Sequence, residues 1–76
     1  MNSPQTIADQ AIGLAYIHAD EGSMQSSAKV CIDDAFSLYC KSEYGYATKR
    51  ALKSLGYSVG IFHSDYKLVQ EWIDSY

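Results

Sequence analysis

Apolar side chains recur at intervals of three and four residues along most of this chain, and this spacing restricts its fold more than any other feature. The clearest example is the series Ala28, Cys31, Ile32, Ala35, Leu38 and Tyr39. Such a period places apolar side chains along one face of an α-helix. No stretch alternates apolar and polar residues with the period of two that marks a β-strand. The sequence therefore predicts an all-α fold.

Four amphipathic segments separated by turn residues predict four helices. They span about 3–20, 23 or 26 to 41, a stretch that opens near 46, and 64 or 65 to about 76. Ser3 and Pro4 form an N-cap followed by a first helical residue, and Gly22 is typical of a helix stop. The serines around 23–27 and Ser64 or Asp65 are expected to cap the second and fourth helices. We expect one domain, residues 1–76, folded as a small four-helix bundle or as two stacked helical hairpins.

The third helix carries mostly small side chains on its apolar stripe: Ala47, Ala51, Ser54, Leu55, Ser58 and Phe62. Small residues let a neighbouring helix approach closely, so this helix is expected to pack tightly against the second one. Gly56 can end the third helix or lie within it, and the stripe favours a helix that continues to Phe62 with a weak point at the glycines. Gly56 and Gly60 also match G-x-x-x-G, which would let a second partner approach.

The predicted hairpin from Ser26 to about Gly60 resembles a single tetratricopeptide-type repeat. The features that carry the resemblance are the two-helix layout, Tyr44 in the turn, and the small residues Ala47 and Ala51. Less than half of the chain is covered, and the first helix of the pair lacks the large aromatic residue and the glycine of such repeats. The resemblance implies a helix–turn–helix architecture for this part of the chain.

The charge is unevenly distributed along a chain whose formal net charge is −3. Lys41, Lys49, Arg50 and Lys53 lie within 13 residues that contain one acid, Glu43. An overall negative charge argues against non-specific nucleic-acid binding, whereas the local basic segment is available for a contact surface.

Basic and aromatic residues coincide on the outer face of the third helix, at Tyr46, Lys49, Arg50, Lys53 and Tyr57. This combination is typical of contact surfaces for proteins and for single-stranded nucleic acids. We therefore predict a small helical binding or regulatory protein that acts by protein–protein contact through these residues. Nucleic-acid binding through the same basic face is the alternative.

The two cysteines and two histidines form no expected catalytic or metal site. Cys31 and Cys40 lie nine residues apart on one helix and face opposite directions, which suits free thiols in a reducing, cytoplasmic environment. His18 has no second ligand at metal-site spacing beyond the nearby acids Asp20 and Glu21. Residues 63–66 include catalytic residue types, but their adjacency in sequence is typical of a capped loop rather than a triad.

The sequence therefore predicts no enzyme, no metal and no cofactor. It contains no phosphate-binding loop, no Cys-x-x-Cys pair and no nucleophile elbow. A ligand pocket between helices, lined by His18, Tyr39 and Trp72, is compatible with the sequence but is supported by no motif. No apolar run is long enough to cross a membrane, and the N-terminal residues do not resemble a signal peptide. A homodimer is plausible because Tyr16, Ile17 and Val30 lie partly off the predicted inward faces.

Overall fold

The computed structural model describes residues 3–75, and four α-helices account for most of them. They are α1 (Pro4–His18), α2 (Gln25–Cys40), α3 (Tyr44–Ser58) and α4 (Ser64–Asp74). Residues 3–75 contain no strand, which confirms the all-α prediction. The helices pack as a small four-helix bundle with a Cα radius of gyration of 11.0 Å. None of these helices is both long and apolar enough to cross a lipid bilayer.

Helix α3 lies at the centre of the bundle because it packs against each of the other three helices, most extensively against α2. Its buried residues are Ala47, Thr48, Ala51, Leu52, Ser54, Leu55 and Ser58. The Ser54 hydroxyl donates a hydrogen bond of 2.9 Å to the backbone carbonyl of Ala28 on α2. A side chain as short as serine reaches a neighbouring backbone only when the two helices lie close together. The predicted tight packing of the third helix on the second is confirmed.

Helix α1 begins as predicted and ends earlier than predicted. The Ser3 side chain accepts a hydrogen bond of 3.2 Å from the Thr6 backbone N–H, and Pro4 is the first helical residue. The last helical residue is His18, so Asp20 lies in the following loop. Negatively charged side chains are unfavourable at the carboxyl end of a helix, where the helix dipole is also negative. The buried face of α1 consists of Ile7, Ala8, Ala11, Ile12 and Ala15.

The predicted serine caps of α2 and α4 are wrong. Met24 occupies the N-cap of α2 and makes no side-chain cap hydrogen bond. His63 occupies the N-cap of α4, where its Nδ1 accepts a hydrogen bond of 3.0 Å from the Asp65 backbone N–H. A histidine with a free ring nitrogen supplies the acceptor that a serine or aspartate oxygen supplies elsewhere.

Helix α3 begins at Tyr44 and passes Gly56, but it does not reach Phe62. Gly60 has a φ of 93°, a left-handed conformation that glycine adopts without steric cost, and its N–H donates to the Leu55 carbonyl at 3.1 Å. This turn ends the helix. Phe62 is consequently 84% exposed, so its expected place on the apolar stripe was wrong.

Helix α4 is the least buried of the four. Val69 is its one fully buried side chain, while Trp72 and Ile73 are partly buried against the core. The helical spacing of Leu68, Val69, Trp72, Ile73 and Tyr76 predicts one inward stripe, but Leu68 is 39% exposed. Tyr76, also predicted on that stripe, lies outside the described residues.

Candidate functional sites

The five residues predicted to bind a partner share one face of α3, and we refer to them as the α3 stripe: Tyr46, Lys49, Arg50, Lys53 and Tyr57. Their spacing of three, four, seven and eleven residues from the first member keeps them on the same side of the helix. Tyr46 is 62% exposed, the three cations are exposed, and Tyr57 is half-buried. The structure therefore brings all five to one solvent-accessible surface.

The cations of the α3 stripe have no anionic partner among residues 3–75. No carboxylate oxygen in that range lies within 4.0 Å of Lys49, Arg50 or Lys53. The Lys49 ammonium lies 5.5 Å from the centroid of the Tyr46 ring, a cation–π arrangement that leaves its charge uncompensated. The stripe therefore presents three positive charges to solvent.

Two shallow cavities flank the α3 stripe. One of about 320 Å³ lies between α2 and α3, where Arg50, Lys53 and Tyr57 face Val30 and Asp34. The other, of about 520 Å³, is lined by Tyr46 and Lys49 together with the α2–α3 turn and Pro4 of α1. The stripe thus forms a ridge between two concave surfaces, and both are open to a partner.

A second group of polar side chains meets where the end of α1 approaches the start of α4; we call it the histidine cluster, and its members are His18, Glu21, His63 and Asp65. His18 Nε2 lies 2.7 Å from Asp65 Oδ2, and His18 Nδ1 pairs with the Glu21 carboxylate. The rings of His18 and His63 meet edge to face with their centroids 5.1 Å apart. One ligand-type atom each from His18, His63 and Asp65 lies within 4.8 Å of the other two.

Both ring nitrogens of His18 face carboxylates, and a carboxylate accepts hydrogen bonds but donates none. The doubly protonated ring is the form that satisfies both contacts. The hydrogen bonds to Glu21 and Asp65 accordingly raise the pKa of His18 above its ordinary value of 6.5, against the opposing effect of burial.

Sequence reasoning found only part of this cluster. It grouped His18 with Asp20 and Glu21, but the Asp20 carboxylate pairs with Lys29 of α2 at 2.9 Å. His63 and Asp65 take its place, although they lie more than 40 residues away in sequence. The pairing of the two chain segments depends on how α4 docks against α1, which no local pattern encodes.

The other reactive side chains noted in the sequence lie apart from one another in the structure. Cys31 is buried, as predicted for a core residue, and burial raises the pKa of its thiol. Cys40 is exposed at the end of α2, about 20 Å along the length of α3 from the histidine cluster. Cys40 therefore does not meet His63 and Asp65.

The suggested pocket of His18, Tyr39 and Trp72 does not form. Tyr39 accepts a hydrogen bond of 3.1 Å from Gln5 in the first turn of α1, whereas His18 ends that helix. Thirteen residues of helix separate the two positions by about 20 Å. These residues cannot line one cavity.

The G-x-x-x-G match has an explanation within the chain. A methyl group added at Gly56 would lie 3.4 Å from the Tyr66 ring, an ordinary contact distance, so this position faces α4 of the same chain rather than a second partner. Gly60 lies outside α3 and forms the turn that ends it. The two glycines therefore do not form a helix-association motif.

The chain matches no protein family, no curated protein and no solved structure in the comparisons with known proteins. The likeness to a tetratricopeptide-type repeat thus rests on the hairpin layout of α2 and α3 alone. The sites described above are the basis for any functional proposal.

Proposed function

We propose that this chain is a small helical binding or regulatory protein that docks onto an acidic surface of a protein partner through the α3 stripe. The observation that carries the proposal is the set of three exposed cations, none of which has an anionic partner among residues 3–75. This positive surface lies on a chain whose net charge is negative. No catalytic residue is part of the proposal.

The positions of these three cations do not favour folding, because the cations repel one another. Lys49 and Lys53 are four residues apart on one helix face, where like charges repel by about 0.2–0.5 kcal/mol. Arg50 lies between them and adds to the repulsion. A partner that supplies carboxylates would remove this repulsion, and complementary charge accelerates and orients association.

The aromatic members of the stripe favour a protein partner. Tyrosine and arginine are enriched at protein–protein interfaces because each combines a large contact area with polar groups. Tyr46 and Tyr57 lie at the two ends of the stripe and frame the cations. In the adjoining groove Val30 is 58% exposed and faces Arg50 and Lys53. The surface therefore suits a partner segment that combines acidic and apolar side chains.

Nucleic-acid binding through the same stripe is the alternative, and two features disfavour it. The net charge is negative, and Asp34 lies in the same groove as Arg50 and Lys53, where it would repel a phosphate backbone. Phosphate contacts release counterions, so this alternative requires an affinity that falls steeply with salt. Retardation of a DNA or RNA probe that disappears between 50 and 200 mM salt (about a thousandfold loss for six phosphate contacts) would favour it over a protein partner.

Self-association is a further possibility that this proposal accommodates. Tyr16, Ile17 and Val30 are 59%, 73% and 58% exposed. A homodimer would bury part of this apolar surface and leave the α3 stripe available. Light scattering coupled to size-exclusion chromatography measures the molar mass and decides between the monomer and the dimer.

The decisive experiment compares the partners captured by two charge-reversal variants of the immobilised chain. Lys49→Glu combined with Lys53→Glu reverses the stripe. Lys41→Glu combined with Lys67→Glu makes the same change in net charge at exposed lysines outside it. Captured proteins are quantified by mass spectrometry, and the circular dichroism spectrum of each variant verifies that the helices are retained.

We expect the stripe variant to lose the partners that the wild type captures and the matched variant to keep them. If both variants retain the same partners, the α3 stripe is not the contact surface. If both lose them, binding depends on net charge rather than on this particular face, and the proposed site is wrong.

A further inference from the structure

We propose that His18, His63 and Asp65 bind a divalent transition metal of the Zn²⁺ class at the junction between α1 and α4. One ligand-type atom from each of the three lies within 4.8 Å of the other two. The three residues come from the end of one helix, the N-cap of another and its first turn. A single ion at this point would therefore join two elements that are distant in sequence.

The type of the donor atoms selects the class of metal. Imidazole nitrogen combined with carboxylate oxygen suits Zn²⁺, Co²⁺ and related ions, whereas Ca²⁺ and Mg²⁺ prefer sites made of oxygen alone. Two histidines and one aspartate are three protein ligands. Water would complete the tetrahedron that Zn²⁺ prefers, and the partial exposure of the site admits it.

Glu21 already holds His18 in the orientation that a metal ligand needs. Its carboxylate pairs with Nδ1 of the ring, whereas Asp65 lies at Nε2. The metal would displace the proton from Nε2, which lies 2.7 Å from Asp65 Oδ2, while the proton on Nδ1 stays with Glu21. Histidines that bind metals generally donate their second N–H to a carboxylate in this way, which fixes the tautomer and the ring orientation.

Binding requires small movements of side chains that are partly exposed. Ligand atoms around a tetrahedral Zn²⁺ are about 3.3 Å apart, so the contact between His18 and Asp65 must open slightly. Ligation by His63 costs its hydrogen bond with the Asp65 backbone N–H, because Nδ1 must then either bind the ion or carry the proton of the neutral ring. Water can replace that bond because the start of α4 is accessible to solvent.

The charges of the cluster balance a divalent ion. With both histidines neutral, the carboxylates of Asp65 and Glu21 compensate the two positive charges. The ion would fix α4, which has one fully buried side chain of its own in Val69, onto the end of α1. The expected role is therefore a structural clamp, and it is independent of the α3 stripe.

The test uses the full chain without an affinity tag, stripped of metal with a chelator and kept reduced with a phosphine. Co²⁺ is added and its visible absorption is recorded, and Zn²⁺ is then added to displace it. The chain contains two histidines, so ¹⁵N chemical shifts of the imidazole rings report directly on ligation. We expect both rings to shift on addition of Zn²⁺ and the melting temperature to rise with Zn²⁺ concentration.

Four variants make the outcome specific. Asp65→Asn should abolish binding, while Asp33→Asn, the same change at an exposed acid of α2, should leave it intact. Glu21→Gln keeps all three ligands but weakens the hydrogen bond that orients the His18 ring. We therefore expect a 10- to 100-fold loss of affinity for the metal. Cys40→Ser should have no effect, since this thiol lies at the other end of the bundle.

Imidazole shifts that stay unchanged at millimolar Zn²⁺ would overturn the metal site. Equal binding by the Asp65→Asn and Asp33→Asn variants would also overturn it. If Asp65→Asn fails to fold, Glu21→Gln decides the question, because Glu21 is 55% exposed and, within residues 3–75, its carboxylate pairs only with the His18 ring. None of these measurements involves a protein partner, so they leave the proposed binding function untouched.

Discussion

His18 Nε2 lies 2.7 Å from Asp65 Oδ2, and this contact joins the last residue of α1 to the first turn of α4. The same ring pairs with Glu21 through Nδ1. Because the ring must be charged to donate to both carboxylates, folding raises the pKa of His18. A raised folded-state pKa means that the charged ring stabilises the fold. The stabilisation is complete below the unfolded value of 6.5 and is lost as the pH rises through the folded-state pKa.

The chain should therefore lose stability on the alkaline side of pH 6.5. The measurement is the urea midpoint of the wild type and of His18→Gln between pH 5.5 and 9, in the presence of a chelator. The difference between the two proteins should be largest at the acidic end and shrink as the pH rises, since the neutral ring places a lone pair against a carboxylate. A difference that is constant with pH would show that His18 contributes by packing alone.

Gly22→Ala should destabilise the fold severely, while Gly13→Ala should not. Gly22 has a φ of 77°, and a methyl group there would lie 2.5 Å from the Ser58 carbonyl oxygen at the end of α3. The left-handed conformation costs about 1–2 kcal/mol for alanine, and the collision adds to it, so we expect a loss above about 2 kcal/mol. Gly13 lies in α1 with open space around it, so alanine there should add up to about 1 kcal/mol. Equal stabilities in urea denaturation would contradict the close approach of this loop to α3.

Ser54→Ala should cost about 1 kcal/mol in the free energy of unfolding. The substitution removes the buried hydrogen bond from the Ser54 hydroxyl to the Ala28 carbonyl and leaves a small gap between α3 and α2. The matched change Ser37→Ala affects an exposed serine on α2 and should be neutral or slightly stabilising, because alanine has the higher helix propensity. Denaturant melts of both variants give the comparison, and equal effects would argue against the interhelical bond.

The helix content of this protein was predictable because it depends on local patterns. The apolar period located all four helices, and Ser3-Pro4 fixed the start of α1. The stripe of small residues also identified α3 as the helix that packs closely on α2. Each of these inferences uses residues within a few turns of one another, where sequence spacing determines spatial proximity.

The errors lie where one helix depends on another. The pattern alone could not show that His63 would cap α4, or that Gly56 faces Tyr66. The histidine cluster was missed for the same reason, since His18 and Asp65 are 47 residues apart and meet only through the docking of α4 on α1. The five members of the α3 stripe, by contrast, belong to one helix, so their common face could be predicted from spacing.

Ser42→Gly should stabilise the turn that joins α2 to α3. Ser42 has a φ of 62°, while its N–H donates to the Tyr39 carbonyl and the next N–H, of Glu43, donates to the Leu38 carbonyl, both at 2.9 Å. This arrangement ends helices that carry glycine in the left-handed position. Glycine removes a steric cost of about 1–2 kcal/mol and adds about 0.5–1 kcal/mol of backbone entropy in the unfolded chain, for a net gain of about 0.5–1 kcal/mol.

The same exchange in a helical conformation should have the opposite sign. Ser37 is exposed within α2, and Ser37→Gly should cost about 0.5 kcal/mol because glycine has the lower helix propensity. Thermal or urea unfolding of the two variants beside the wild type gives both signs in one experiment. If Ser42→Gly destabilises the chain as Ser37→Gly does, the turn does not hold Ser42 in the left-handed region, and the connection between α2 and α3 differs from the one described.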